Sequence, residues 1–450
     1  MLSQEFEVFM LNYKNEISDL KLLDIEDLVL DNGIKISMMQ FGNLPVVSMQ
    51  FITNIGAIAE SKITQQWLTS FVANLLKEGS RHYNGEEIVS LFASYGGSID
   101  IHCSDDNLFI NIEVLSSFAT HAIKIVTDIL IHPLFPANEQ VRIREDLLRN
   151  LELIKVEPQA LTSARLNHLI YPDHPYGREF PQIKDLKKFT SKIASQFYKS
   201  SLNSSKTSIY IVGQFNRTEV THTLEKLLGE WDSNKGKEIK SPVIAKNNQW
   251  SFIDRENAHQ STLKIAIKMN NFSLNDYHAL IAINGLLGGT FISRITTNIR
   301  EDKGYSYSPI SSMHISKKYC LWIQNADVSS EVTCESLKEI FYEIRRLYSK
   351  PPSTAELSGM VTHLSGLHLI RFATPRSIIN QLFFLDKLGL DRGFYESYIS
   401  NLKQLTPKKI IEQMHKSFNE NYIIAIAGDK KLLYEKTKSM KEFTNISEFE

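Results

Sequence analysis

Along the chain, apolar residues recur in short blocks whose spacing switches between two and about 3.6, so hairpins are predicted to alternate with helix pairs. Leu28 to Met39 reads as a hairpin, because Asp31-Asn32-Gly33 supplies turn chemistry between two β-prone runs. A strand follows at Val46 to Thr53. Thr64 to Lys77 carries Trp67, Leu68, Phe71, Val72, Leu75 and Leu76 on one helical stripe that Gly79 can end. A short helix opens at Asn84, a capping residue, with Glu86 and Glu87 in its first turn. Ser98 to Ser104 and Leu108 to Val114 alternate as a strand pair around Asp105-Asp106-Asn107, and helices are expected near 116–131 and 138–156. Thr207 to Val212 is the last strand of this series, and Gly213 leads into a helix that ends near Leu228.

The same order returns beyond Asp232 to Asn248, a stretch of Lys, Asn, Ser and Gly without apolar periodicity. Strands are expected at 262–269, 304–315, 319–327 and 422–427, and helices at 275–288, 291–301 and through 330–415. The endings SIYIVGQF and YIIAIAGD place Gly213 and Gly428 215 residues apart, and that shift moves the strand at 46–52 onto another at 261–267. The chain therefore reads as a tandem duplication of an α+β unit, a mostly antiparallel sheet covered by helices. The expected divisions are an extension at 1–24, a first domain at 25–231, a linker at 232–248 and a second domain at 249–450. Two such layers make a clamshell, whose concave side is the default place for a ligand.

Composition narrows the function. Fifty lysines and arginines balance 51 aspartates and glutamates, a net charge of −1 that disfavours nucleic acid as a partner. With 42% hydrophobic and 22% charged residues the chain is of ordinary globular type, and no apolar run is read as approaching the ~18 residues of a membrane span, so membrane insertion is not expected. Cys103, Cys320 and Cys334 are odd in number and far apart, which suits a reducing compartment. The first twenty residues carry Glu5, Glu7, Glu16 and Asp19 without an apolar core, so a cytoplasmic location is expected, or a periplasmic one if a leader has been removed.

The segment WLTSFVANLLKEGSRHYNGEEI, with its helix, glycine-serine turn and second helix at Glu-Glu, resembles the insulinase and pitrilysin family of zinc peptidases. The likeness runs over roughly residues 25–435 and points to the half-size branch that contains the mitochondrial processing peptidase subunits. In that family the first helix bears His-x-x-Glu-His: two histidines four apart bind zinc from one face, and the glutamate deprotonates a zinc-bound water. Here the matching positions are Ser70, Ala73 and Asn74, which offer two poor ligands and no base. The family's third ligand, a glutamate on a later helix, falls near Arg149 or Asn150, with Glu145 and Glu152 close by. Elsewhere, His363 and His368 are five apart and share no helical face; His174 reads as a turn residue beside prolines, and His102 as a surface strand residue. No zinc is expected in this chain.

The second half keeps what the first has lost. NGLLGGTFISRITTNIREDKGYSYSP is similar to the family's turn and helix leading into Arg-x-x-x-Gly-x-x-Tyr, so the resemblance gives Arg300 and Tyr307 the substrate-binding role. A guanidinium offers a planar fork to carbonyl or carboxylate oxygens, and a phenol adds one directed donor. Apart from the resemblance, Arg300 reads as a helix-end cation that can pair with Glu301 or Asp302, and Tyr305 and Tyr307 as alternate residues of a strand, either of which could be the contact. The resemblance implies a zinc-less subunit that supplies Arg300 and Tyr307 to a zinc-bearing sibling, with a peptide or unfolded segment as substrate. The alternative it leaves is a structural or assembly subunit like the core proteins of the respiratory cytochrome complex, or a homodimeric peptide-binding protein.

Overall fold

A computed structural model describes residues 18–21, 24–231, 241–245 and 248–433, so most of the expected extension at 1–24 and of the linker at 232–248 lies outside the described residues. The first half builds a six-stranded sheet from β1 (Ile25–Val29), β2 (Lys35–Gln40), β3 (Val46–Thr53), β4 (Ser98–Cys103), β5 (Leu108–Leu115) and β6 (Ser208–Gly213), in the order β1-β2-β6-β3-β5-β4. Gly33 sits at φ +88° in the β1–β2 turn, a conformation that favours glycine. The second half builds β7 (Gln249–Asp254), β8 (Gln260–Lys268), β9 (Ile310–Ile315), β10 (Cys320–Ser329) and β11 (Tyr422–Gly428) into the order β7-β11-β8-β10-β9. Without β1 the two orders coincide. In each, the last strand inserts parallel to the first and antiparallel to the second, β6 between β2 and β3, and β11 between β7 and β8.

Helices cover these sheets because each carries one apolar face. In the first half they are α1 (Leu68–Leu76), α2 (Gly85–Ser94), α3 (Ala119–Ile131), α4 (Gln140–Ile154), α5 (Pro158–Ile170), α6 (Ser191–Ser201) and α7 (Arg217–Leu228). In the second they are α8 (Tyr277–Asn284), α9 (Arg294–Thr296), α10 (Thr333–Ser349), α11 (Thr354–Ile370), α12 (Pro375–Leu388), α13 (Tyr398–Lys403) and α14 (Pro407–Ser417). Asn84 caps α2 as its sequence predicts, accepting from the Glu87 N–H at 2.9 Å while the Glu87 carboxylate accepts from the Asn84 N–H at 2.8 Å. The pattern reading passes over α5, α6 and β7.

Two helices cross from one half to the other. α5 lays Leu166 and Ile170 on Ala266, Leu321, Ile323, Ile423 and Ala425 of the second sheet. In return, α12 covers β3 and β6: the Phe383 ring meets Phe109 edge-on at 5.6 Å and Tyr210 at 6.3 Å, and the Tyr210 hydroxyl donates to Asp386 Oδ2 at 2.6 Å. Met39, Ile52, Tyr210 and Val212 of the first sheet thereby join one apolar cluster with Ile378, Ile379, Leu382 and Leu385. Both helices begin with proline, where the missing N–H costs nothing.

Leu274 to Asp302, which spans α8 and α9, is a 29-residue stretch whose most apolar window has a mean hydropathy of 1.4, by length and composition enough to cross a membrane. This corrects the expectation that no such run exists. More than half of its most apolar window is buried inside the protein, with Leu280, Ile283, Leu286, Leu287, Ile295 and Ile299 all in the core of the second half. Its hydropathy is that of a core helix.

The exchange predicts that the halves unfold together. Ile170→Ala should cost about 2–5 kcal/mol, because the fully buried side chain leaves a cavity against the second sheet. In single-tryptophan variants reporting from Trp322 in the second half and Trp67 in the first, urea midpoints should coincide and fall together. A Trp322 curve unmoved by the substitution would show that α5 is not part of that core.

Candidate functional site

The segment that carries the peptidase motif in the likeness is α1. Its buried face is Leu68, Phe71, Val72, Leu75 and Leu76, and Ala73 is buried with them. Ser70 and Asn74 are half-buried and satisfied locally: Ser70 Oγ lies 3.4 Å from Cys103 Sγ on β4, and the Asn74 amide donates back to the Ser70 carbonyl at 2.9 Å. Burial pushes the Cys103 thiol up, which keeps it protonated and a poor metal ligand. Just before the helix, the buried Glu60 carboxylate accepts from the Trp67 N–H at 3.1 Å and the Thr69 N–H at 2.9 Å, satisfying two otherwise orphan donors of the first turn. Trp67 itself stands at φ +72°, a strained conformation for so bulky a residue. Burial, outweighing the hydrogen bonds from Thr69 and Trp67, pushes the Glu60 carboxyl up to about 7.

Zinc does not fit these donors. The face of α4 turned to the core is Ile143, Leu147 and Leu151, while Glu145, Arg149, Asn150 and Glu152 are exposed and Arg149 pairs with Asp146. Among the described residues no three or more His, Cys, Asp or Glu side chains are grouped to hold a metal. The histidines take other roles. His174 Nδ1 accepts from the Tyr176 N–H at 3.3 Å in a turn, as the sequence suggests. His102 Nδ1 is 2.6 Å from Asp100 Oδ2, so its acidic neighbour is on its own strand and not in the Asp105-Asp106 turn, and its ring stacks 5.2 Å from Phe109. His368 is buried against the Tyr398 ring at 4.1 Å, whereas His363 is exposed.

Arg300 and Tyr307 sit on a well-anchored base. α8 continues into a wider turn at Gly285–Gly289, and α9 into another at Thr297–Asp302 that carries Arg300. Arg294 donates from Nε to Glu356 Oε1 at 2.7 Å and from a terminal nitrogen to Oε2 at 2.9 Å, a bidentate fork to α11. Although burial works to raise it, the Glu356 carboxyl is held below its usual range by Arg294 and the Ser353 N–H. Asn298 donates to Glu339 at 3.0 Å and Glu343 at 2.9 Å on α10. The chain then turns at Gly304, φ +65°, and the Tyr305 and Ser306 N–H groups return to the Ile299 carbonyl at 2.7 and 3.1 Å.

That return breaks the expected strand at 304–315, which begins only at Ile310. Tyr305 and Tyr307 consequently do not share a strand face. Tyr305 packs against the core, and Tyr307 is 82% exposed. The Arg300 Cζ lies 4.2 Å from the Phe291 ring centre and 5.0 Å from that of Tyr307, and its Nε is 3.2 Å from Glu301 Oε1. Contact with the guanidinium therefore separates the two tyrosines, a choice the pattern had left open. Phe291 and Glu60 escape the sequence reading, which takes Cys103 only as one of three scattered cysteines; the nearest signal is the lone acidic Glu60 in the apolar run IGAIAES. Ser70, Ala73 and Asn74 lie on a helix of the first half and Arg300 and Tyr307 in the second, and each group's contacts given above are local.

Comparison with known proteins sets this geometry in a family. Residues 44–181 match the family described as Insulinase (Peptidase family M16), and residues 188–364 match the Peptidase M16 inactive domain. The chain belongs to the insulinase family. It is 23% identical over 80% of its length, and 87% of the relative's, to the "uncharacterized zinc protease YmxG" of Bacillus subtilis, and 19% identical over 82% and 86% to a "non-peptidase homolog YmxG" of Helicobacter pylori. The crystal structure of a peptidase M16 inactive domain from Pseudomonas fluorescens superposes with a TM-score of 0.82 at 20% identity, over 90% of this chain and 98% of that one. The fold is thus the two-domain, half-clamshell form, and with Ser70, Ala73 and Asn74 at the motif the chain sides with the family's inactive members.

Glu60 makes the α1 region pH-sensitive in a defined direction. Its folded value near 7 exceeds the ordinary 4.5, so the native state binds the extra proton and loses stability as pH rises from 4.5 through 7. Glu60→Gln keeps an acceptor that cannot ionise. It should match the parent's thermal midpoint at pH 5 and exceed it at pH 8 by the equivalent of about 1–3 kcal/mol. Equal midpoints at both values would remove the assignment.

Proposed function

We propose that this chain is the zinc-less subunit of a heterodimeric metallopeptidase, presenting Arg300 and Tyr307 to a peptide that is hydrolysed on a zinc-bearing sibling. The observation that carries the reading is the contrast between the halves. α1 retains its packing but no metal donors, while Arg300 is held against two rings on a base tied down by the Arg294–Glu356 fork. An arginine presented in this way donates to a carbonyl or to developing negative charge without first being immobilised, which is how a distant cation contributes to hydrolysis. Three free cysteines and no disulfide among the described residues support a reducing, cytoplasmic setting.

The alternative is a non-catalytic scaffold or peptide-binding subunit, favoured by the likeness to a relative described as a non-peptidase homolog. The two readings separate when the tagged protein is purified from its own cells. The split-site reading expects a similar-sized partner, about one zinc per pair and cleavage of a quenched peptide by the eluate. A zinc-free, inert protein, alone or in larger assemblies, is the scaffold outcome.

Within a reconstituted pair, Arg300→Ala should lower kcat/KM by about 10²-fold, the scale of losing one preorganised charge-stabilising donor. Tyr307→Phe should lower it less, and the isolated chain should cleave nothing. A doubly substituted pair that kept full activity would remove both residues from the mechanism.

A further inference from the structure

A cavity of about 560 Å³ lies in the second half, between the start of α8, the loop before α13, and α13 and α14 themselves. Its size suits a small molecule, and neither Arg300 nor the rings that face it line it. The apolar wall is Leu274, Ala279, Leu390, Phe394 and Leu405. Charged groups on the rim are matched within the chain: Lys416 Nζ sits 2.7 Å from Asp276 Oδ2, Lys409 Nζ donates to the Gln404 carbonyl at 3.0 Å, and Glu412 faces Lys408 at 3.8 Å. His278, in the first turn of α8, also lines the cavity and is only 9% exposed. Its ring is wedged against Phe394 at 5.2 Å and Tyr398 at 4.9 Å, and burial pushes it down to about 4, so it is neutral near pH 7. A neutral imidazole brings one donor and one acceptor. Among the described residues it makes no hydrogen bond: Nε2 is sealed off without a partner, and Nδ1, which is not sealed, opens on the cavity. Buried polar groups are almost always paired, so an imidazole left idle in the wall of a cavity points to a partner from outside the chain.

We infer that this cavity is a binding site for a small uncharged molecule that carries an aromatic ring and a hydroxyl, the ring against Phe394 and Leu405 and the hydroxyl bonded to His278. Each part of that class follows from a different part of the wall. The absence of charge follows from the rim: with Asp276, Lys409, Glu412 and Lys416 already engaged, a charged ligand would be desolvated without a free counter-ion. The ring follows from the half-buried Phe394, whose face offers the offset or edge-on packing that aromatic pairs prefer. The hydroxyl follows from His278, because a phenol can donate to or accept from a neutral imidazole, whichever tautomer the ring holds. The site is separate from the peptide-binding reading above and does not depend on it.

The test uses the full chain and three probes alike in ring and methyl group: p-cresol, toluene and p-toluate. By NMR titration p-cresol should bind at least ~5-fold tighter than toluene, the scale of one net hydrogen bond, and p-toluate should bind more weakly than either. His278→Phe should bind p-cresol and toluene alike. His278→Asn, which keeps a polar atom near the place of Nδ1, should retain part of the preference, and Ala279→Trp, which fills the cavity, should abolish binding of all three. Equal affinities of the parent chain for p-cresol and toluene, tightest binding by p-toluate, or a preference that survives His278→Phe would each overturn the site, and the first two need no variant to fold. Binding of none of the probes would leave the cavity to water and overturn it as well. None of these outcomes touches the zinc-less-subunit reading, which rests on Arg300 and Tyr307.

Discussion

The reciprocal loan of α5 and α12 is the constraint on which the rest of the structure depends. Each sheet needs both faces covered, and each half supplies one helix to the other's sheet. Leu166 and Ile170 share an apolar cluster with Ala266, Leu321, Ile323, Ile423 and Ala425 of the second sheet, and the Phe383 ring meets Phe109 and Tyr210 of the first. The polar contacts follow the apolar ones: Tyr210 reaches Asp386 at 2.6 Å, and Lys387 reaches Asp106 at 2.9 Å. A chain built this way cannot open between its halves to form a chamber without stripping both sheets. Under the reading proposed above, the other wall of a chamber facing Arg300 would come from the second subunit.

The duplication shows how packing and chemistry come apart. The 215-residue shift that relates the two sheets carries Ser70, Ala73 and Asn74 onto Gly285, Gly288 and Gly289. In the second half those positions are crowded: a Cβ at Gly288 would stand 2.5 Å from Gln324 Oε1 and 2.8 Å from Ser311 Oγ, and one at Gly285 2.5 Å from Met360 Sδ. The segment can lie that close to β9 and β10 only without side chains. In the first half the equivalent helix carries Ser70 and Asn74, whose polar atoms turn to Cys103 and to their own helix. Neither arrangement builds a metal site, and the two fail to do so for different physical reasons.

How much of this was legible in the sequence depended on whether a signal was local. Strands with strict alternation and marked turns, such as Val46–Thr53 and the pair around Asp105-Asp106-Asn107, sit where the pattern puts them, as does the cap at Asn84. α5 was missed because its buried residues, Thr162, Leu166 and Ile170, form a thin stripe broken by a polar member, and the surface they cover belongs to the other half. The apolar stretch 274–302 was underestimated because its burial is a property of the tertiary fold. Period-two spacing in KGYSYSP imitates a strand, but the hydrogen bonds from Tyr305 and Ser306 back to Ile299 hold the segment as a turn instead.

The candidate site was legible only as residue types. That Arg300 and Tyr307 belong together could be read from a likeness, but which tyrosine meets the arginine, and that Phe291 meets it as well, are facts of the turn at Gly304 and of the loop after Gly289. The geometry also changes what the arginine is. A surface arginine paired only with Glu301 would be a flexible, screened cation of little consequence. Tied through its segment to Glu356, Glu339 and Glu343, and faced by two rings, Arg300 has much of its ordering cost met before any ligand arrives. The guanidinium keeps about a quarter of its side chain exposed, 26%, beside the more exposed Glu301. A scaffold with no ligand to meet has no physical requirement for that arrangement, whereas the peptide-binding role proposed for Arg300 uses its preorganised fork.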